Sequence, residues 1–158
     1  MAGCQWSGAR RNPRPHDAEH GTVIKADPAT GETLERWKLP VVGGTHGLEY
    51  DNFEDDVLWV TSTSDQTLLK MKISDWSVLD TIALAYTRPH GVVRVEDGIW
   101  MVYTADRLII KLNFDGSEVR RIEVTGPHPE PHGLSIIEGG LLYCDATSGW
   151  ITKIETEI

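Results

Sequence analysis

The sequence predicts an all-β fold of propeller blades, and two columns of repeated residues carry that prediction. The first is His-Gly followed by an apolar residue, at His46-Gly47-Leu48, His90-Gly91-Val92 and His132-Gly133-Leu134. Its steps of 44 and 42 residues match one four-stranded blade, which takes about 40–45 residues. The second column is Lys25, Lys70, Lys111 and Lys153, spaced by 45, 41 and 42 and each beside an apolar residue. No stretch shows capped helical periodicity, and β-branched and aliphatic residues fill the short runs between turns.

Taken in order, residues 1–40 read as an incomplete blade. Strands at 22–26 and 33–39 are joined by the turn Asp27-Pro28-Ala29-Thr30-Gly31-Glu32, and Gln5-Trp6-Ser7 reads as a remnant of an earlier strand. Residues 41–84 form a full blade with strands at 47–50, 57–63, 67–73 and 78–84. The longer first turn, Asp51 to Asp56, takes an insertion where blades tolerate one. Residues 85–126 form the best-defined blade, with strands at 91–95, 98–104, 107–113 and 118–124. Its turns are Glu96-Asp97-Gly98 and Asn113-Phe114-Asp115-Gly116-Ser117. Residues 127–158 supply three more strands, at 134–137, 141–145 and 150–155.

Closed propellers have about four to eight blades, so this partial set leaves two apolar faces and free sheet edges. Two completions follow. The chain is a piece of a longer propeller, or a homodimer closes one six-bladed ring across a twofold axis.

Composition narrows the function classes. With 158 residues, 40% hydrophobic and 25% charged, this is the make-up of one soluble globular domain. A net charge of −9 argues against a nucleic-acid partner, which demands a basic stripe. Arg10, Arg11 and Arg14 make the only basic cluster, in a loop-like segment. No apolar run is long enough to span a bilayer. The N-terminus shows no signal-peptide core, so a cytoplasmic location without membrane contact is expected. Cys4 and Cys144 are too few for a disulfide framework, and Cys144, within Leu141-Leu142-Tyr143-Cys144, reads as a buried thiol.

In a propeller, the entry to the first strand and the exit of the second lie on one face around the central channel. His46, His90 and His132 therefore form an arc there. Ser62, Tyr103 and Asp145 share the rim as candidate ligand contacts or catalytic groups. His132 and Asp145 belong to one blade, where a carboxylate can orient an imidazole as a general base. The same recurrence fits a framework role, with each imidazole satisfied by backbone. Trp59 and Trp100 occupy equivalent strand positions and read as packing residues. Glu49, Asp51, Asp55 and Asp56 could attract a divalent cation, but their spacing matches no calcium loop.

Arg88-Pro89-His90-Gly91-Val92 with Gly98-Ile99-Trp100, and Pro131-His132-Gly133-Leu134 with Leu141-Leu142-Tyr143, resemble the streptogramin lyase (virginiamycin B lyase) type of propeller. The likeness covers about residues 40–155 and is shared with NHL-repeat and gluconolactonase-like propellers. It implies a magnesium-dependent elimination that opens a cyclic depsipeptide at its ester; the cofactor expected is magnesium or calcium, or otherwise none. His132 then matches the family's proton-transfer histidine, and Asp145 falls in the column of its glutamate. Two readings stand: a small-molecule-binding propeller with lyase or hydrolase chemistry at the channel mouth, or a non-catalytic NHL-like module that binds or scaffolds other proteins.

Overall fold

A computed structural model of the chain describes residues 21–41 and 43–158. Those residues hold thirteen strands and no helix. In chain order they are β1 (Thr22–Ala26), β2 (Thr33–Lys38), β3 (Thr45–Tyr50), β4 (Val57–Ser62), β5 (Thr67–Lys72) and β6 (Val78–Ala83). There follow β7 (Pro89–Val95), β8 (Gly98–Tyr103), β9 (Leu108–Leu112), β10 (Glu118–Glu123), β11 (Gly133–Ile137), β12 (Gly140–Cys144) and β13 (Ile151–Glu155). All pairing is antiparallel between sequence neighbours, giving sheets β1-β2, β3-β4-β5-β6, β7-β8-β9-β10 and β11-β12-β13. This is a partial β-propeller. The Gln5-Trp6-Ser7 segment lies outside the described residues.

One turn geometry recurs from sheet to sheet. Gly21, Gln66, Arg107 and Gly149 each precede the third strand of a blade, and all have positive φ, at 73°, 51°, 56° and 74°. The outer sheets meet that demand with glycine, whereas the two central ones hold larger residues in a left-handed conformation. The same residue locks the blade. Gly21, Gln66 and Arg107 carbonyls accept hydrogen bonds from the amides of Leu39, Leu84 and Val124, at 2.6, 2.8 and 2.9 Å.

The core lies between sheets. One cluster joins Val57, Trp59, Leu68 and Ile82 of the second sheet to Val92, Ile99, Met101, Tyr103, Ile110 and Leu112 of the third. A second joins Val93, Val95, Trp100, Val102 and Ile109 of the third sheet to Leu141 and Tyr143 of the fourth. Alternation along each strand thus sends one set of side chains to the preceding blade and the other to the next. Each fully buried side chain of this kind contributes about 1.5–3 kcal/mol. The lysine column is explained by register. Lys70 and Lys111 pair across the ladder with Trp59 and Trp100, cover their rings, and bind Glu54 and Asp97.

The fourth sheet shows what an open arc costs. Leu142 pairs with Lys153 as Trp100 pairs with Lys111, so Ile137, Leu142, Cys144 and Ile151 occupy the positions of Val95, Trp100, Val102 and Ile109. The third-sheet residues are buried, yet Ile151 is 71% exposed and Ile137 36%. Cys144 is exposed as well, which corrects the expectation of a buried thiol. Its apolar neighbours do face inward to a blade interface, but no described blade covers that side. Contiguous exposed apolar surface of this kind drives association. Accordingly, light scattering should show an apparent mass that rises with concentration for the wild type and stays flat for Ile137→Lys/Ile151→Lys. Both proteins should melt within about 1 °C of each other, because surface changes away from packed sites cost little.

Candidate functional site at the inner strands

The inner strands β3, β7 and β11 lie side by side, and the approach is set by glycine. A Cβ on Gly47 would overlap the His90 carbonyl oxygen. One on Gly91 would lie 2.7 Å from the His132 carbonyl oxygen and 2.8 Å from the Leu134 nitrogen. Hydroxyls bind the same seam. Thr61 Oγ1 accepts from the Gly47 amide at 2.6 Å and donates to the His90 carbonyl at 3.2 Å, while Thr63 Oγ1 donates to the Pro89 carbonyl at 2.6 Å.

This close approach brings the three histidines together. The His46 and His90 ring centroids are 4.2 Å apart at 40°, and those of His90 and His132 are 4.7 Å apart at 67°. The rings and their neighbours line one cavity of about 260 Å³, with the lining completed by Gly47, Leu48, Gly91, Val92, Gly133 and Leu134. His46 is exposed, His132 half-buried and His90 buried. His90 Nδ1 sits 2.8 Å from the Arg88 carbonyl, which can only accept, so Nδ1 carries a proton. Partial desolvation by the packed neighbours, first of all, pushes the exposed His46 and the buried His90 imidazoles below the usual histidine range. The positive charges of His132 and Arg88 push the same way, against the Arg88 carbonyl's opposing pull on His90.

The remaining candidates, Asp145, Ser62 and Tyr103, are not among the residues that line this cavity, and each is engaged elsewhere. Asp145 Oδ1 accepts from the Thr147 amide at 2.7 Å and Oδ2 from the Ser148 hydroxyl at 2.8 Å, bonds that hold its carboxyl below the usual range. No hydrogen bond joins it to His132 among the described residues. Ser62 is buried and donates to Asp65 at 2.7 Å. Tyr103 is buried in the core between sheets, its ring edge-on to Tyr86 at 5.2 Å, and burial pushes its phenol well up. Arg88 is the neighbour that motif reading passed over. It stands in the Arg-Pro-His run at φ 50° and pairs with Glu130 at 3.8 Å.

The implied magnesium or calcium can be tested against these donors. Both ions take oxygen ligands, and the cavity lining offers imidazole nitrogens without a carboxylate. The wall does not fit either ion. Glu49 and Asp51 lie toward the other end of β3, bonded to Arg94, and among the described residues no group of three or more His, Cys, Asp or Glu side chains is placed to hold a metal.

The fold and the wall together define a β-propeller with a histidine-lined inner face. No family model matches the sequence, and no curated protein matches it either. Solved structures do share the fold. The glutaminyl cyclase of Myxococcus xanthus superposes at a TM-score of 0.69 with 14% identity, covering 85% of this chain and 57% of that one. Virginiamycin B lyase from Staphylococcus aureus gives 0.61 at 15% identity, covering 87% and 50%. BamB from Moraxella catarrhalis gives 0.55 at 20%, covering 84% and 37%. The chain therefore has a β-propeller fold and spans 37–57% of the length of these three structures. No helix among the described residues is long and apolar enough to cross a membrane.

Proposed function

We propose that this chain is a small-molecule-binding propeller whose ligand sits against the wall formed by His46, His90 and His132. The observation that carries the reading is the convergence of three imidazoles from three separate blades on one cavity. A framework role explains His90, whose Nδ1 is satisfied by backbone. It does not explain His46 and His132, whose rings make no hydrogen bond among the described residues. Two of the structural relatives carry the names of enzymes, a cyclase and a lyase. Catalysis is on that ground part of the proposal, with His132 as the proton carrier and Asp145 in the neighbouring turn. The alternative, a non-catalytic module, draws on the engagement of both Asp145 oxygens by its own turn.

A fragment screen read on the histidine C2–H resonances tests this. Binders should move His46, His90 and His132 together and leave His128 alone. His132→Ala should weaken them at least tenfold while shifting the melting temperature by only about 2–4 °C per kcal/mol lost. Binders that ignore the wall, or a His132→Ala that loses stability and nothing else, would assign the imidazoles to the framework.

A further inference from the structure

Resting on that reading, we propose that the ligand is a small oxyanion-bearing molecule, of carboxylate, sulfonate or phosphate type, bound as the histidine wall takes up protons. The cavity comes first. At about 260 Å³ it lies below the roughly 300–1,000 Å³ of drug-sized sites, and its lining alternates imidazole with glycine and aliphatic side chains. Such a lining offers N–H donors and an apolar floor but no counter-ion.

The surrounding charges point the same way. Arg88 acts on both His46 and His90, and the rings act on one another. No carboxylate lines the cavity; Glu130 lies 3.8 Å from Arg88, and both Asp145 oxygens accept hydrogen bonds from their own turn. A second proton on closely packed rings is opposed by the first, and an anion on the wall removes that opposition. In His90 the Arg88 carbonyl holds the Nδ1 proton, so Nε2 is the nitrogen that gains one and then donates to the ligand.

The sign of the linkage follows. Both imidazoles are depressed in the folded chain, so the unfolded state takes protons first and stability falls as pH drops from about 7 toward 5. A bound anion reverses part of that loss, and its affinity falls as pH rises through the histidine midpoints, to the extent that protons are taken up on binding.

The test titrates the histidine C2–H resonances of the chain in sulfate, whose charge is fixed over this range, and in sodium chloride at equal ionic strength. Methanesulfonate and its neutral analogue dimethyl sulfone form a second pair. Sulfate and methanesulfonate should raise the His46 and His90 midpoints, a roughly tenfold gain in proton affinity, and leave His128 unchanged. His46→Gln, at an exposed position, should cut the effect on His90 at least threefold. Equal responses to methanesulfonate and dimethyl sulfone would overturn the anion assignment and leave the small-molecule wall standing. Equal responses to sulfate and chloride would reduce the effect to screening and overturn it too. If no probe disturbs the wall, the anion assignment falls, and the fragment screen alone decides whether the wall binds a small molecule.

Discussion

Asp51→Ala is expected to be the most damaging single carboxylate substitution in the chain, costing about 3–5 kcal/mol. Asp51 Oδ2 accepts from the Trp59 indole at 2.8 Å and from Arg94 Nε at 3.0 Å. The pair is buried, with side chains 9% exposed for Arg94 and 1% for Asp51, and it joins the second blade to the third. The guanidinium is held between the rings of Phe53 and Phe114, at 4.6 and 4.4 Å. Removing the carboxylate strands a charge in that slot and leaves the indole N–H without an acceptor. The damage is the orphaned charge more than the lost attraction, so Asp51→Leu/Arg94→Leu should recover most of the stability. Lys25→Ala, which breaks the exposed pair with Glu35, should cost under about 1 kcal/mol. Urea unfolding decides between these, and an Asp51→Ala loss no larger than the Lys25→Ala loss would refute the argument.

A pH signature accompanies it. Burial alone would raise the Asp51 carboxyl, but the hydrogen bonds from Trp59, Phe53 and Arg94 outweigh it and hold the group below the usual range. A depressed carboxyl adds stability above its unfolded pKa of about 3.9 and loses it as pH falls through the folded value. The wild type should therefore lose stability more steeply below about pH 4 than Asp51→Asn.

Blade register was legible because backbone repetition leaves a period in the residues that touch backbone. The His-Gly column placed β3, β7 and β11, and the thirteen expected strands appear with ends shifted by a residue or two. Side-chain engagement was less legible, because equivalent positions hold different partners. Val95 stands where the second blade has Asp51, so the Trp100 indole is buried without the acceptor that Trp59 enjoys. Ser62, Tyr103 and Asp145 share a column, yet the first two point into polar and apolar packing and the third caps its turn. The Asp-x-x-Ser of residues 145–148 carried that turn signal in plain view. The ring-to-ring contact of the imidazoles had no local signal at all. It arises from inter-blade spacing, which no window along one strand contains.

Gly47→Ala is the second large effect expected, at about 3 kcal/mol or more, and it separates the two halves of the repeated dipeptide. An added methyl meets the His90 carbonyl oxygen, with Val92 Cγ1 at 3.0 Å and Thr61 Oγ1 at 3.1 Å. The first of these is backbone and cannot rotate away, so β3 and β7 must part. Parting them breaks the Thr61 and Thr63 hydrogen bonds across the seam, adding to an overpacking cost of about 1–3 kcal/mol. Gly31→Ala makes a suitable comparison. Nothing lies within 4 Å of its added methyl, and only the positive φ of 74° is strained, for about 1 kcal/mol. If the glycine sets the spacing of the wall, Gly47→Ala should also abolish the ring-current shift between His46 and His90 while leaving every imidazole in the sequence. A variant that melts like Gly31→Ala and keeps that shift would mean the inner strands tolerate wider spacing, and that the wall is held by something other than the glycines.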